Sequence, residues 1–315
     1  METPMAMSCD KDGMPPVLRA LLEDSEQPQM VDRQVSVDGT RKYILRLHDG
    51  ALIEMVAMPH VKDGVPGHLS VCYSTQVGCA MGCAFCATGR QGFTRNLDAA
   101  EMVWQLVIVE EDFGRPIDVA VAMGQGEPLA NCMALIEALK VIADPEGLGV
   151  PEDKLVISTS GPVAGIRKFA ESPVAATLSI SLHAVRQELR DELMPGVRSV
   201  PLEVLHEELE RFNERTGRFV DVEYLMLGGV NDSVAELHAL AEFCRGLDAR
   251  IVLLHYNADE GMEFKPSTFG TTVYWSLYLR QQGFRVLVIQ PLGTDVHAGC
   301  GMLRNRFVAG GAGSE

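Results

Sequence analysis

Cys79, Cys83 and Cys86 stand in a C-x3-C-x2-C run, "CAMGCAFC", and Cys72 lies seven residues upstream of the first. Half of the chain's eight cysteines therefore fall within fifteen residues. Three thiolates so close together suit a zinc ion or an iron–sulfur cluster. Structural zinc asks for four ligands, commonly as two separate C-x2-C knuckles. This loop has a single C-x2-C step and no histidine nearby. A [4Fe–4S] cluster on three cysteines keeps one iron open to a small molecule, and soft thiolates suit such clusters. The residues point to a cluster loop ahead of zinc or three unconnected buried thiols.

Such a loop needs a frame. From about residue 68, apolar strands alternate with amphipathic helices. Strands are expected at 68–75, 116–123, 154–160, 176–184, 219–227, 249–256 and 284–290, with helices between them at 98–112, 132–144, 234–247 and 271–283 among others. The first of these helices opens with an Asp98-x-x-Glu101 capping box. Repeated strand–helix units predict an α/β protein with a parallel sheet and helices outside, and six or seven units suggest a partial or full barrel. Active residues of such folds gather at the carboxyl ends of the strands. Here "QVGCAMGCAFC", "GQGEP", "STSG" and "SLHA" stand at the ends of the first four.

Upstream, residues 31–65 alternate apolar and polar positions around "DGT" and "HDG", which reads as a small β-rich extension of two or three antiparallel strands. The barrel is expected over 66–303. Residues 1–30 read as a loose lead-in and 304–315 as a flexible glycine-rich tail. A chain of 315 residues with 47% apolar and 22% charged residues can bury a core without disulfide staples. It has neither an apolar run of membrane-spanning length nor a secretory leader pattern, so the expected compartment is the cytoplasm, where cysteines serve as ligands or catalysts. A net charge of −16 argues against a tight, non-specific grip on RNA, although one face can still carry a basic patch.

The three-cysteine spacing, with Phe85 before the last cysteine, resembles the signature of the radical S-adenosylmethionine (SAM) enzymes. "SVCYSTQVGCAMGCAFCATGRQGFTRNL", "MGQGEPL", "STSG", "SISLHA", "EYLMLGGVNDS" and "GTDVHAGCGML" resemble, in order, the RlmN/Cfr family of radical SAM adenosine methyltransferases, over about residues 52–303. The resemblance implies a partial (βα)6 barrel, a [4Fe–4S] cluster on Cys79, Cys83 and Cys86, and SAM on the open iron. It implies an RNA substrate, 23S rRNA or tRNA, and an electron donor such as flavodoxin or ferredoxin; no membrane partner is expected. Cys300 occupies the position of the cysteine that a first SAM methylates. Cys72 matches the cysteine that attacks the Cys300 sulfur, releasing the product through a transient disulfide. Glu54 matches a glutamate proposed as proton acceptor. Gly126, Glu127, Ser158, Ser181, Leu182, His183 and Asn257 match SAM-contacting positions.

The implied chemistry accounts for the cysteine count. Adenine C2 and C8 are electron-poor, so a methyl cation cannot be handed to them, and a radical route through a thioether carrier avoids the mismatch. C2 of adenosine is the leading target and C8 the second; the same carrier chemistry on a small or non-RNA substrate is the alternative. Three features depart from the family's ribosomal members. Their N-terminal helical accessory domain has no counterpart in the thirty or so residues before the β-rich unit. Ile289, Gln290 and Leu292 stand where basic residues are common, and the chain is acidic. Arg90 and Arg95 beside Phe93 are the expected local RNA contact. Cys9, Cys132 and Cys244 have no motif around them and read as bystanders, the last two on apolar helix faces.

Overall fold

The computed structural model describes residues 13–62, 65–258, 262–299 and 301–303. Cys9, Cys300 and the expected tail at 304–315 lie outside the described residues. Helix α1 (Pro16–Leu22) is followed by β1 (Gln29–Val35), β2 (Arg41–Arg46), β3 (Leu52–Lys62) and β4 (Val65–Cys72). A short pair, β5 (Gln76–Gly78) and β6 (Phe93–Asn96), precedes α2 (Ala99–Phe113), β7 (Val119–Ala122), α3 (Cys132–Ala143), β8 (Leu155–Thr159) and α4 (Val163–Phe169). The chain continues through β9 (Thr177–Ser181), α5 (Gln187–Leu193), α6 (Leu202–Thr216), β10 (Val220–Met226) and α7 (Val234–Phe243). It closes with β11 (Ala249–His255), α8 (Phe269–Gln281) and β12 (Arg285–Ile289).

Ten strands form one sheet in the order β1-β2-β3-β4-β7-β8-β9-β10-β11-β12. The first four pair antiparallel. From β4 onward every pairing in this sheet is parallel. Six strand-then-helix units run from β4 to α8, and β12 ends the series. With β1 and β12 at its two edges the sheet is open, an α/β partial (βα)6 barrel carrying an N-terminal β-rich extension. Among the described residues, no helix is long and apolar enough to cross a membrane.

Burial explains the strand sequences. All seven positions of β10 are buried, as expected for a parallel strand covered on both faces. Val220, Val222, Tyr224 and Met226 enter the main core, while Glu223 and Leu225, on the other face, look into a cavity. Asp221, also buried, is held by two guanidinium hydrogen bonds from Arg250 at 2.8 and 2.7 Å. The capping box forms as expected: Asp98 accepts from Glu101 N at 2.8 Å, and Glu101 accepts from Asp98 N at 3.1 Å.

Two elements differ from expectation. Residues 16–22 form α1 inside the stretch expected to be a loose lead-in; Leu18 and Leu22 are buried against the main core, but seven residues carry too little periodicity to announce a helix. The β5–β6 pair was also not foreseen. It clamps the ends of the cysteine loop, with Gly78 opposite Phe93 and Cys79 N donating to Gly92 O at 2.8 Å. Gly78 has φ +75°, and a Cβ there would lie 2.0 Å from Gly92 O, so no other residue fits the entry to the loop.

Candidate active site

The carboxyl ends of β4, β7, β8, β9 and β10 surround one cavity, and Cys79, Cys83 and Cys86 form part of its wall. All three are free thiols. Burial pushes the Cys79 thiol up to about 12 and Cys83 well above its ordinary value, and the neighbouring cysteines raise both further. Such thiols ionise when a cationic group binds them. Among the described residues, no three His, Cys, Asp or Glu side chains converge as ligands of a single ion would. Sulfurs on one tetrahedral zinc, with bonds of about 2.3 Å, would sit roughly 4 Å apart. A cuboidal cluster spreads its thiolates more widely. Three thiols on the wall of one cavity are a donor set that fits a [4Fe–4S] cluster with one iron left open.

The loop rests on its neighbours through backbone hydrogen bonds. Ala84 N donates to Leu193 O at 2.9 Å, and Gly196 N to Met81 O at 2.8 Å, seating the loop on α5 and the turn after it. On its other side Ala87 N donates to Gly301 O at 2.7 Å, and Thr88 Oγ1 to Leu303 O at 2.7 Å. The "GQGEP" loop closes the cavity from β7. Gly126 has φ +110°, and a Cβ there would meet Gln76 Cβ at 2.6 Å, so the glycine brings this loop against the start of β5.

Two buried carboxylates organise the strand ends. Glu127 Oε1 accepts from Thr159 Oγ1 (2.5 Å) and Leu129 N (3.0 Å), and Oε2 from Ser160 N and Oγ (both 2.8 Å). Burial pushes its carboxyl pKa up, and these donors oppose the rise. With its lone pairs so occupied, Glu127 accepts a SAM ammonium only when the Thr159 or Ser160 hydroxyl turns away. Glu223 is the second hub, receiving Ser158 Oγ at 2.8 Å, Ser179 Oγ at 2.7 Å and Ser181 Oγ at 3.2 Å. It lines the cavity and is raised by burial as well. Glu223 and Ser160 lie within the quoted "EYLMLGGVNDS" and "STSG" motifs, but neither is among the expected site residues. The available signal for Glu223 was a carboxylate inside the otherwise apolar "VEYLML".

His183 is buried, with a left-handed backbone (φ +56°), and its ring meets Phe85 edge-on at 5.0 Å. Its Nδ1 accepts from Leu225 N at 3.2 Å, which assigns the proton to Nε2. Burial, with the Arg190 charge second, holds the imidazole down to about 3. The neutral ring is therefore the working form at physiological pH. Between that value and the ordinary histidine pKa of about 6.5, the unfolded chain binds a proton that the folded one refuses. Stability is then complete above that range and falls as pH drops through it. His183→Gln should remove about one proton from the pH slope of the urea midpoint between pH 6 and pH 4; an unchanged slope would contradict this assignment.

A second group of residues lies across the extension. Lys42, Val56 and Cys72 sit abreast on β2, β3 and β4, and cross-strand partners share a face. Glu54, two positions along β3, faces the same side. It is fully buried and pairs with Lys42 Nζ at 2.9 Å, while Lys42 also reaches His297 O at 3.4 Å. Val56, Ala298 and Leu303 make a small apolar cluster with Cys72 packed against it. The segment around position 300 is tied to the β1–β2 turn: Ser36 Oγ and Val37 N donate to Asp295, at 2.5 and 3.1 Å, and Gly293 N to Asp38 at 2.8 Å. Cys72 thus sits beside residues flanking Cys300 on both sides.

Not every expected residue reaches the cavity. Leu182 belongs to the main core, and its N–H and C=O are taken by Glu223 O and Ala184 N. Asn257 lies outside the cavity wall against Gly299, where an added Cβ would come within 2.4 Å of its Nδ2. Arg95, expected to face RNA, is bound by Asp49 at 2.6 Å and by Glu101 at 2.8 Å twice. Phe93 is exposed. Cys132 and Cys244 are buried in the main core, as bystanders should be.

Residues 73–244 match the family model of the radical SAM superfamily. The cofactors of that superfamily, a [4Fe–4S] cluster and SAM, are those of this chain, and Cys79, Cys83 and Cys86 are placed to hold the first. A probable dual-specificity RNA methyltransferase RlmN of Syntrophomonas wolfei is 37% identical over 311 residues, covering 95% of this chain and 86% of that protein. The dual-specificity RNA methyltransferase RlmN of Phenylobacterium zucineum is 38% identical over 89% of this chain and 74% of its own length. The crystal structure of a radical SAM methyltransferase from Sphaerobacter thermophilus superposes with a TM-score of 0.85 at 36% identity, covering 94% of this chain and 89% of that one. With identity of this order sustained along both partners, and the cysteine loop at the barrel mouth, the chain belongs to the RlmN family of radical SAM methyltransferases.

Proposed function

We propose that this chain methylates C2 of an adenosine in 23S rRNA or tRNA, with Cys300 as methyl carrier and Cys72 as the thiol that resolves the adduct. The observation that carries the reading is the contact of Cys72 with Ala298 and Leu303, beside the three-cysteine cavity. The names of the relatives, dual-specificity RNA methyltransferases, support RNA as substrate. When bound, the cluster and SAM supply the radical that activates a methyl group on Cys300.

The chain's residues do the rest. Gly126, Glu127, Ser158, Ser181 and His183 orient SAM, with Leu182 and Asn257 behind them. The methylene carbon on Cys300 sulfur bonds to the ring carbon; the hydrogen at that carbon leaves as a proton to Glu54, and the one remaining electron would be taken up by the oxidised cluster held on Cys79, Cys83 and Cys86. Cys72 thiolate then attacks Cys300 Sγ. The S–S bond forms as the S–CH2 bond breaks, and the bonding pair stays with carbon, which is protonated to methyl. A two-electron thiol reductant reopens the disulfide, and flavodoxin or ferredoxin feeds the cluster. In this reading residues 31–65 carry Glu54 and 66–303 the cofactors, and the enzyme works in the cytoplasm.

The test is mass spectrometry of nucleosides from separated rRNA and tRNA, from cells lacking their own enzyme, with and without this gene. New 2-methyladenosine is expected. 8-Methyladenosine instead would move the target carbon. Neither product, from protein with a normal cluster, would overturn RNA as substrate.

A further inference from the structure

Among the described residues Arg190, on α5, is the arginine that is completely buried. Its Nη2 donates to Ser160 O at 2.7 Å, but Nε and Nη1 have no hydrogen-bond partner. A guanidinium does not shed its proton inside a protein, so the fold holds a buried charge with two unmet donors, a costly arrangement unless an anion completes it. The neighbouring carboxylate on the same helix is Asp191. Asp191 already accepts from Gln187 Nε2 at 2.7 Å. Arg190 does not line the cavity. It stands behind the cysteine loop, on the helix whose Leu189 and Leu193 pack with Met81, Cys83 and Cys86. The same helix receives Ala84 N through Leu193 O.

We propose that Arg190 is a positioning residue for the cluster: its buried charge, on the helix that seats the cysteine loop, offsets the negative charge gained on reduction. Hydrogen bonds to cluster sulfurs and nearby charge are the levers that set such potentials. The proposal rests on the [4Fe–4S] cluster being held by this loop. SAM carboxylate is the less suitable anion, because a molecule in the cavity does not meet a side chain outside its wall.

The test is a redox titration of the reconstituted full chain, followed by electron paramagnetic resonance without SAM. Arg190→Gln should reduce the ratio of reduced to oxidised cluster at a fixed potential by tenfold or more, about 59 mV or more for one electron. Arg190→Lys, which keeps the charge, should stay much closer to the parent. Equal midpoints in all three proteins would overturn the proposal. So would an equal shift in both variants, which reports shape and not charge, or a shift seen only after SAM is added. Variants that both lose iron while keeping their secondary structure would make Arg190 part of the scaffold, again against the proposal. A parent chain without iron–sulfur absorbance would instead sink the cluster itself.

Discussion

Cys72→Ala should yield protein covalently joined to RNA, with turnover stopped at the first adduct. The thiol ends β4, its residue pairs with Val56 and Val121, and its side chain packs beside Ala298 and Leu303. Alanine removes one sulfur from a half-buried site, so the stability cost is about 1 kcal/mol and the sheet remains. In the proposed mechanism, the machinery that loads Cys300 and bonds it to the ring carbon is untouched. On that reading only the nucleophile that breaks the S–CH2 bond is gone, and among the described residues no thiol other than Cys72 shares that small cluster. The measurement is a denaturing gel of protein incubated with RNA, followed by nuclease digestion and mass analysis of the peptide bearing position 300. Free methylated RNA over many turnovers would refute the resolving role.

Lys42→Met should destabilise the fold by about 3–5 kcal/mol, because it strands the Glu54 carboxylate in the interior. Lys42 is 4% and Glu54 0% exposed, and the 2.9 Å contact between them lies on the face that meets the 293–303 segment. Removing both charges should recover most of the loss, since a buried pair replaced by apolar side chains of similar volume is often neutral. Urea unfolding of Lys42→Met and of Lys42→Met/Glu54→Met measures the pair. A single variant within 1 kcal/mol of the parent would show that the pair carries no such load. Glu54→Gln, with Lys42 kept, should lower product formation more than it lowers RNA crosslinking to position 300.

The sequence announced those parts whose physics is local. Three cysteines within eight residues, the Asp98–Glu101 cap and seven apolar strand runs each need only near neighbours to be read, and each stands where expected. What escaped depends on partners far along the chain. Arg95, expected beside Phe93 as an RNA contact, has ion pairs not read from the sequence, with Glu101, which also completes the helix cap, and Asp49, 46 residues upstream. Glu223 gained its role from serines on β8 and β9, and Arg190 from a carbonyl 30 positions away. Leu182 keeps its place in the motif, and strand alternation turns its side chain into the core.

The hydrogen bonds between the β1–β2 turn and the 293–297 segment impose an order on assembly. Ser36 and Asp295 are 259 positions apart, and Gly293 is 255 from Asp38. During synthesis the cysteine loop is complete when fewer than a third of the residues have emerged, whereas the segment that carries Cys300 comes last. Until it docks, Gly301 and Leu303 are missing from the cavity wall. On the proposed reading, a chain that stops before this segment could gather iron without being able to modify anything.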